Sequence, residues 1–243
     1  MQVHIQANAT ELGKEAGRQA AAIIQQAIQE KGQANIILAT GASQFETLRY
    51  LVNDKDIQWS SVVAFHLDEY IGMPDSHPAS FRKYLRERFI DQVTPLKEIF
   101  LINGETNQEA ECQRLSDAIA QYPIDLALVG IGENGHLAFN DPPADFDTKS
   151  PYIIVNLDEA CRRQQMGEGW FQTLEEVPSQ AISMSVHQIM QAKHIICSVP
   201  DKRKAEAVRN SLKQAVSNLY PSSILQNHPN CDIYLDQFSA SLL

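Results

Sequence analysis

The chain has 243 residues, with 30 acidic side chains against 20 Lys and Arg, a net charge of −10 and 44% hydrophobic residues. That balance suits a chain with a sizeable core and argues against a nucleic-acid partner, because phosphate backbones attract basic surfaces. No apolar run reaches the roughly 20 residues of a membrane span, and the N-terminus has no apolar signal core, so a cytoplasmic protein without a membrane partner is expected.

Helices and strands alternate along the chain. Leu12, Ala16, Ala20, Ile23 and Ala27 recur every three or four residues, which predicts an amphipathic helix capped by Thr10 and ended by Gly32. Residues 35–40 (NIILAT) follow as a buried strand, and the small-residue turn Gly41-Ala42-Ser43 leads to a helix carrying Phe45, Leu48 and Val52. Residues 61–67 (SVVAFHL) read as a strand, and Pro78 suits the first turn of a helix carrying Phe81, Leu85 and Phe89. Residues 107–121 read as a helix stopped before Pro123, and 125–132 (DLALVGIG) as a strand running into a glycine turn. Residues 194–199 form a strand, 202–213 a helix and 231–236 a final strand. Strands separated by helices predict a Rossmann-like, mostly parallel sheet with helices on both faces, as a single domain over residues 1–243. The proline-rich stretch 141–150 reads as a surface loop, and 141–175 as a candidate lid.

In such folds ligands bind beyond the carboxyl ends of the strands, which directs attention to four segments. Thr40-Gly41-Ala42-Ser43 combines small residues with a helix start, an anion-binding arrangement, although an ordinary tight turn looks the same locally. It is not a P-loop, since no Gly-Lys-Ser/Thr follows. His66-Leu67-Asp68-Glu69-Tyr70 puts two carboxyl groups at a strand end, where one could act as a general base or merely cap a helix. If the strand continues, His66 and Asp68 share a face and Glu69 points the other way. Residues 130–141 (GIGENGHLAFND) place His136, which titrates near neutral pH, among three glycines, with Asn134 and Asp141 able to orient its ring. Asp201-Lys202-Arg203-Lys204 sets three cations against a helix dipole, a conflict that a bound anion would resolve. Cys112, Cys161, Cys197 and Cys231 are far apart, so neither a zinc motif nor a disulfide framework is suggested.

Together these segments resemble the glucosamine-6-phosphate deaminase/isomerase family through nearly the whole chain and in order. Residues 38–44 (LATGASQ) are similar to its LPTGxTP loop, 65–72 (FHLDEYIG) to its F-x-x-DEY-x-G motif, and 76–81 (SHPASF) to the motif that follows. Residues 130–142 (GIGENGHLAFNDP) are similar to GIGxDGHIAFNEP, and Lys204-Ala205 to a late lysine-alanine pair. The resemblance implies conversion of glucosamine 6-phosphate and water to fructose 6-phosphate and ammonia, with no metal or organic cofactor. Asp68 would move a proton between C2 and C1, and His136 would assist ring opening, flanked by Asn134 and Asp141. Thr40, Gly41, Ala42, Ser43 and Lys204 would hold the phosphate, and Glu69, Tyr70 and Gly135 would help to bind the sugar.

Two departures stand out. Asp141 occupies a place where Glu is usual, an arm one methylene shorter, and misplacing a catalytic group on that scale can cost on the order of 100-fold. The arginine that binds phosphate in some relatives has no counterpart near residues 166–169, for which Arg162 or Arg163 is a candidate substitute. The sequence ends with residues 235–243 (LDQFSASLL), without the extension that serves an allosteric site in some relatives, so no activation by N-acetylglucosamine 6-phosphate is expected. The alternatives are a lactone hydrolase resembling 6-phosphogluconolactonase, which usually continues its glycine segment differently, a deaminase or isomerase for another amino-sugar phosphate such as galactosamine 6-phosphate, and a non-catalytic sugar-phosphate sensor. A homo-oligomer is compatible with the sequence.

Overall fold

The computed structural model describes residues 1–167 and 169–243. Seven parallel strands form the main sheet, in the order β1 (Gln2–Gln6), β10 (Cys231–Asp236), β9 (His194–Val199), β6 (Leu126–Val129), β2 (Ala34–Leu38), β3 (Val62–His66) and β5 (Glu98–Phe100). Alternation along each strand fills two cores. Ile37, Val63, Phe65, Ala127 and Val129 face one side, and Ile36, Leu38, Val62, Ala64, Leu126 and Leu128 the other. Helices α1 (Ala9–Lys31), α2 (Phe45–Asn53) and α3 (Phe81–Arg88) cover the second face through Leu12, Ile24, Leu48, Leu51 and Leu85. Helices α4 (Gln108–Ile119) and α7 (Ala205–Lys213) cover the first through Leu115, Ile119, Ala207 and Val208. Each large aliphatic side chain so buried contributes about 1.5–3 kcal/mol.

The helix start at α1 differs from expectation. Asn8, not Thr10, caps it, accepting a hydrogen bond from the Glu11 N–H, while Gly32 ends the helix in the left-handed conformation as expected. Likewise α3 begins after Ser80, whose hydroxyl accepts from the Lys83 N–H, so Pro78 lies before the helix rather than in its first turn.

A second, antiparallel sheet of β4 (Asp68–Tyr70), β8 (Gln180–Met184) and β7 (Tyr152–Asn156) stands beyond the end of β3. The chain switches sheets at Leu67, so His66 and Asp68 do not share one continuous strand. Ile182, Met184 and Tyr152 pack into the same core as Phe65 and Val129. The stretch 141–175 is therefore not one loop. It contains β7 and helix α5 (Glu159–Gly167), and Glu168 within it lies outside the described residues. The short helix α6 (Val186–Met190) leads from β8 toward β9. No helix among the described residues is long and apolar enough to cross a membrane.

Candidate active site

Chain order reverses between β2 and β6: the crossovers run outward from β2 through β3 to β5, and from β6 through β9 to β10. A cavity of about 480 Å³ opens beyond the carboxyl ends of these strands, the place and size expected of a small-molecule site in a parallel sheet. Each of the four segments singled out in the sequence reaches it. Thr40, Gly41, Ala42 and Ser43 line it after β2, Asp68 after β3, Gly132 and His136 after β6, and Lys202, Arg203 and Lys204 after β9.

Two turns form one wall of the cavity. At the first, Gly41 has φ +89°, a backbone state that side chains disfavour, and its carbonyl accepts a 2.9 Å hydrogen bond from the Tyr84 hydroxyl. Gln44 ties this turn to β6 by donating to the Val129 carbonyl at 3.0 Å. At the second, Asp201 holds φ +88° without being glycine, a strained state of the kind that gathers at functional loops. Its N–H donates to Asp236 at 3.1 Å, and its carboxylate accepts from the Arg203 backbone N–H and guanidinium. A turn of residues 202–204 then leads into α7 and leaves Lys204 nine-tenths buried at the cavity wall.

On another wall, Asp68 is 7% exposed. Burial, reinforced by the neighbouring charge of Glu69, pushes its carboxyl up to about 8. Opposed to this is a polar relay. His136 Nδ1 lies 3.0 Å from Asp141 Oδ1, and Asn134 donates from Nδ2 to the same oxygen at 2.8 Å. Asn134 Oδ1 in turn accepts from the His136 backbone N–H at 3.1 Å. Burial alone would raise the Asp141 carboxyl, but the hydrogen bonds and charge of His136, with help from Asn134, hold it below its ordinary range. The one-methylene-shorter arm thus still reaches the imidazole. His136 lies flat on Gly132: a Cβ there would sit 2.3 Å from His136 Nε2 and Cε1. The loop is pinned to the second sheet by Phe139 N–H donating to Ser183 Oγ and by Asn140 Nδ2 donating to the Leu137 and Met184 carbonyls. Ala138, in this loop, takes φ +52°.

Several sequence candidates have other placements. Glu69 does not line the cavity. It caps α3, accepting from the Tyr70, Phe81 and Arg82 N–H groups and the Ser80 hydroxyl, with Arg82 Nε 3.5 Å away. Tyr70 is fully buried against Phe81, Phe139 and Phe171 and donates to Gln165 at 2.8 Å. Gly135 (φ +89°) and Asn134 lie on a separate recess beside Tyr220. His66 is a core residue: burial, then the charge of Arg82, pushes its imidazole down to about 3. Arg162 donates to the Val177 and Leu174 carbonyls and Arg163 to Glu159, and neither lines the cavity. From α5 it is instead Gln164 and Gln165 that do, two residues that nothing in the sequence pattern marked. Gln164 also accepts from the Glu133 N–H at 3.0 Å.

The cavity thus has the two turns with Lys204 on one wall, and the buried Asp68 carboxyl and the His136 imidazole on the others. A family model described as glucosamine-6-phosphate isomerases/6-phosphogluconolactonase matches residues 7–233. A glucosamine-6-phosphate deaminase of Streptococcus pneumoniae serotype 4 is 38% identical over 213 residues, covering 87% of this chain and 89% of the relative. Among solved structures, a monomeric glucosamine-6-phosphate deaminase matches with a TM-score of 0.91 and 32% identity, covering 100% of both chains. A 6-phosphogluconolactonase from Trypanosoma brucei matches at 0.78 with 18% identity, covering 100% of this chain and 98% of the other, a likeness of fold.

Proposed function

The chain belongs to the glucosamine-6-phosphate isomerase/6-phosphogluconolactonase family, and within it we propose that this protein deaminates glucosamine 6-phosphate to fructose 6-phosphate and ammonia. One observation carries the proposal: the raised Asp68 carboxyl and His136, which Asp141 holds from behind, border the same cavity as the turns at 40–43 and 202–204. The phosphate binds at those two turns, where backbone N–H groups and Lys204 meet its charge. His136 takes the proton of the anomeric hydroxyl and passes it to the ring oxygen as C1–O5 breaks and the pyranose opens, with Asp141 fixing its tautomer and orientation. Asp68, as carboxylate, takes the proton from C2 and delivers it to C1, both carbons lying on one face of a cis-enolamine. Water then replaces the amino group at C2, and ammonia leaves. The four cysteines are unpaired, which suits a reducing compartment and supports a cytoplasmic setting.

The substrate assignment is tested by comparing kcat/KM for glucosamine 6-phosphate, galactosamine 6-phosphate and 6-phosphogluconolactone. The proposal expects the first to be turned over at least tenfold more efficiently than either of the others, on the order of 1.4 kcal/mol of discrimination. Preferential lactone hydrolysis would move the protein to the other branch of its family.

A further inference from the structure

We infer that His136, Asp141 and Cys161 form an inhibitory site for a borderline-soft divalent metal ion of the Zn²⁺ class. A ring nitrogen of His136, a carboxylate oxygen of Asp141 and the Cys161 Sγ lie within 4.8 Å of one another. They come from the glycine loop, the turn after it, and α5. Imidazole, carboxylate and thiolate are the donors that Zn²⁺ selects. A tetrahedral ion with bonds of about 2.0–2.3 Å holds its ligand atoms about 3.3–3.7 Å apart, so contraction by about 1 Å completes the site.

A second feature points to the same place. The Asp141 side chain is nine-tenths buried. Its Oδ1 serves both His136 and Asn134, and the Cys161 thiol makes a further side-chain hydrogen bond to the same carboxylate, so imidazole, carboxylate and thiol are already gathered around one point. Access exists from two sides, since His136 borders the main cavity and Asp141 a separate recess lined by Pro142, Pro143 and Asn156. The cavity side leaves a fourth coordination position for water. On binding, the Cys161 thiol proton passes to buffer as the metal–sulfur bond forms. Inhibition follows because the ion occupies the imidazole and carboxylate that move the ring-oxygen proton. That last clause rests on the proposed function, whereas binding itself does not.

The test is therefore made first without substrate. Co²⁺ added to the purified protein is expected to give a thiolate-to-cobalt charge-transfer band that saturates at one ion per chain. The band is expected to persist in Cys112→Ser, to vanish in Cys161→Ser, and to need on the order of 1,000-fold more Co²⁺ in His136→Asn, beyond the roughly 10–100-fold that an outer-shell partner costs. A band that survives in Cys161→Ser, or no band at all, overturns the site. Because Cys161 is buried and its variant could misfold, crystals of the unaltered protein soaked in Zn²⁺ give an independent reading. An anomalous peak at bonding distance from all three residues supports the proposal, and a peak elsewhere only, or none, refutes it. In turnover assays, Zn²⁺ is expected to inhibit, with recovery on chelation. Co²⁺ binding without any glucosamine 6-phosphate turnover would sink the functional reading and leave the metal site standing.

Discussion

Replacing Gly132 by Ala probes whether the seat of His136 matters to catalysis. The new methyl group would sit 2.3 Å from Nε2 and Cε1 and 2.4 Å from Cδ2 of His136. Ordinary carbon contacts lie near 3.5 Å, so the ring must withdraw by about 1 Å. Gly132 is not at a positive φ, so the substitution perturbs the ring rather than the backbone. A 1 Å misplacement of a catalytic group costs about 100-fold, whereas a single overpacked methyl costs about 1–3 kcal/mol of stability. The assay is kcat and KM for glucosamine 6-phosphate alongside urea denaturation. The expected result is a kcat lowered about 100-fold in a protein that still unfolds cooperatively. A folded Gly132→Ala variant with kcat within threefold of the parent would refute the role given to His136.

Three other outcomes are expected. Because the free carboxyl of Asp68 titrates at about 8 and a base must be ionised, kcat/KM should rise with pH through about 8 and fall tenfold per unit below it; a profile flat from pH 6 to 9 would contradict this. Glu69 contributes to that elevation and also caps α3 beside Arg82, so Glu69→Gln should move the acid limb to lower pH and cost about 3 kcal/mol in urea unfolding, as loss of a buried charged partner does. Lys204→Ala should raise KM about 10- to 100-fold with a smaller change in kcat, the loss of a charge-assisted contact made equally in ground and transition states; steady-state kinetics with inorganic phosphate as competing inhibitor reads both.

The parallel sheet was legible because its central strands are short, continuous apolar runs punctuated by glycine turns, and residues 194–199 and 231–236 are strands at the bounds read from sequence. The site was legible to the extent that its groups lie directly after those strands, where backbone ends converge. What escaped detection depends on contacts distant in sequence. The run through His66, Leu67 and Asp68 looks like one strand, and only pairing of Asp68 with Ser183 reveals a second sheet. Glu69 has the look of a second candidate base until Ser80 and the first turn of α3, eleven to thirteen residues on, supply its donors. Helix α5 is polar and only weakly amphipathic, so the inward set of Cys161, Gln164 and Gln165 had no periodic signal strong enough to see. Thr10 and Asn8 are both acceptable caps, and the choice fell to where the chain leaves β1.

The central claim is that Asp68 moves the proton in a deamination of glucosamine 6-phosphate, and it is tested most directly by measuring fructose 6-phosphate and ammonia together, with the parent protein and with Asp68→Asn. The account predicts that the two products rise in equal amounts with the parent, and that the variant binds the substrate but forms neither. Equal turnover by the variant, or consumption of glucosamine 6-phosphate without release of ammonia, would contradict it.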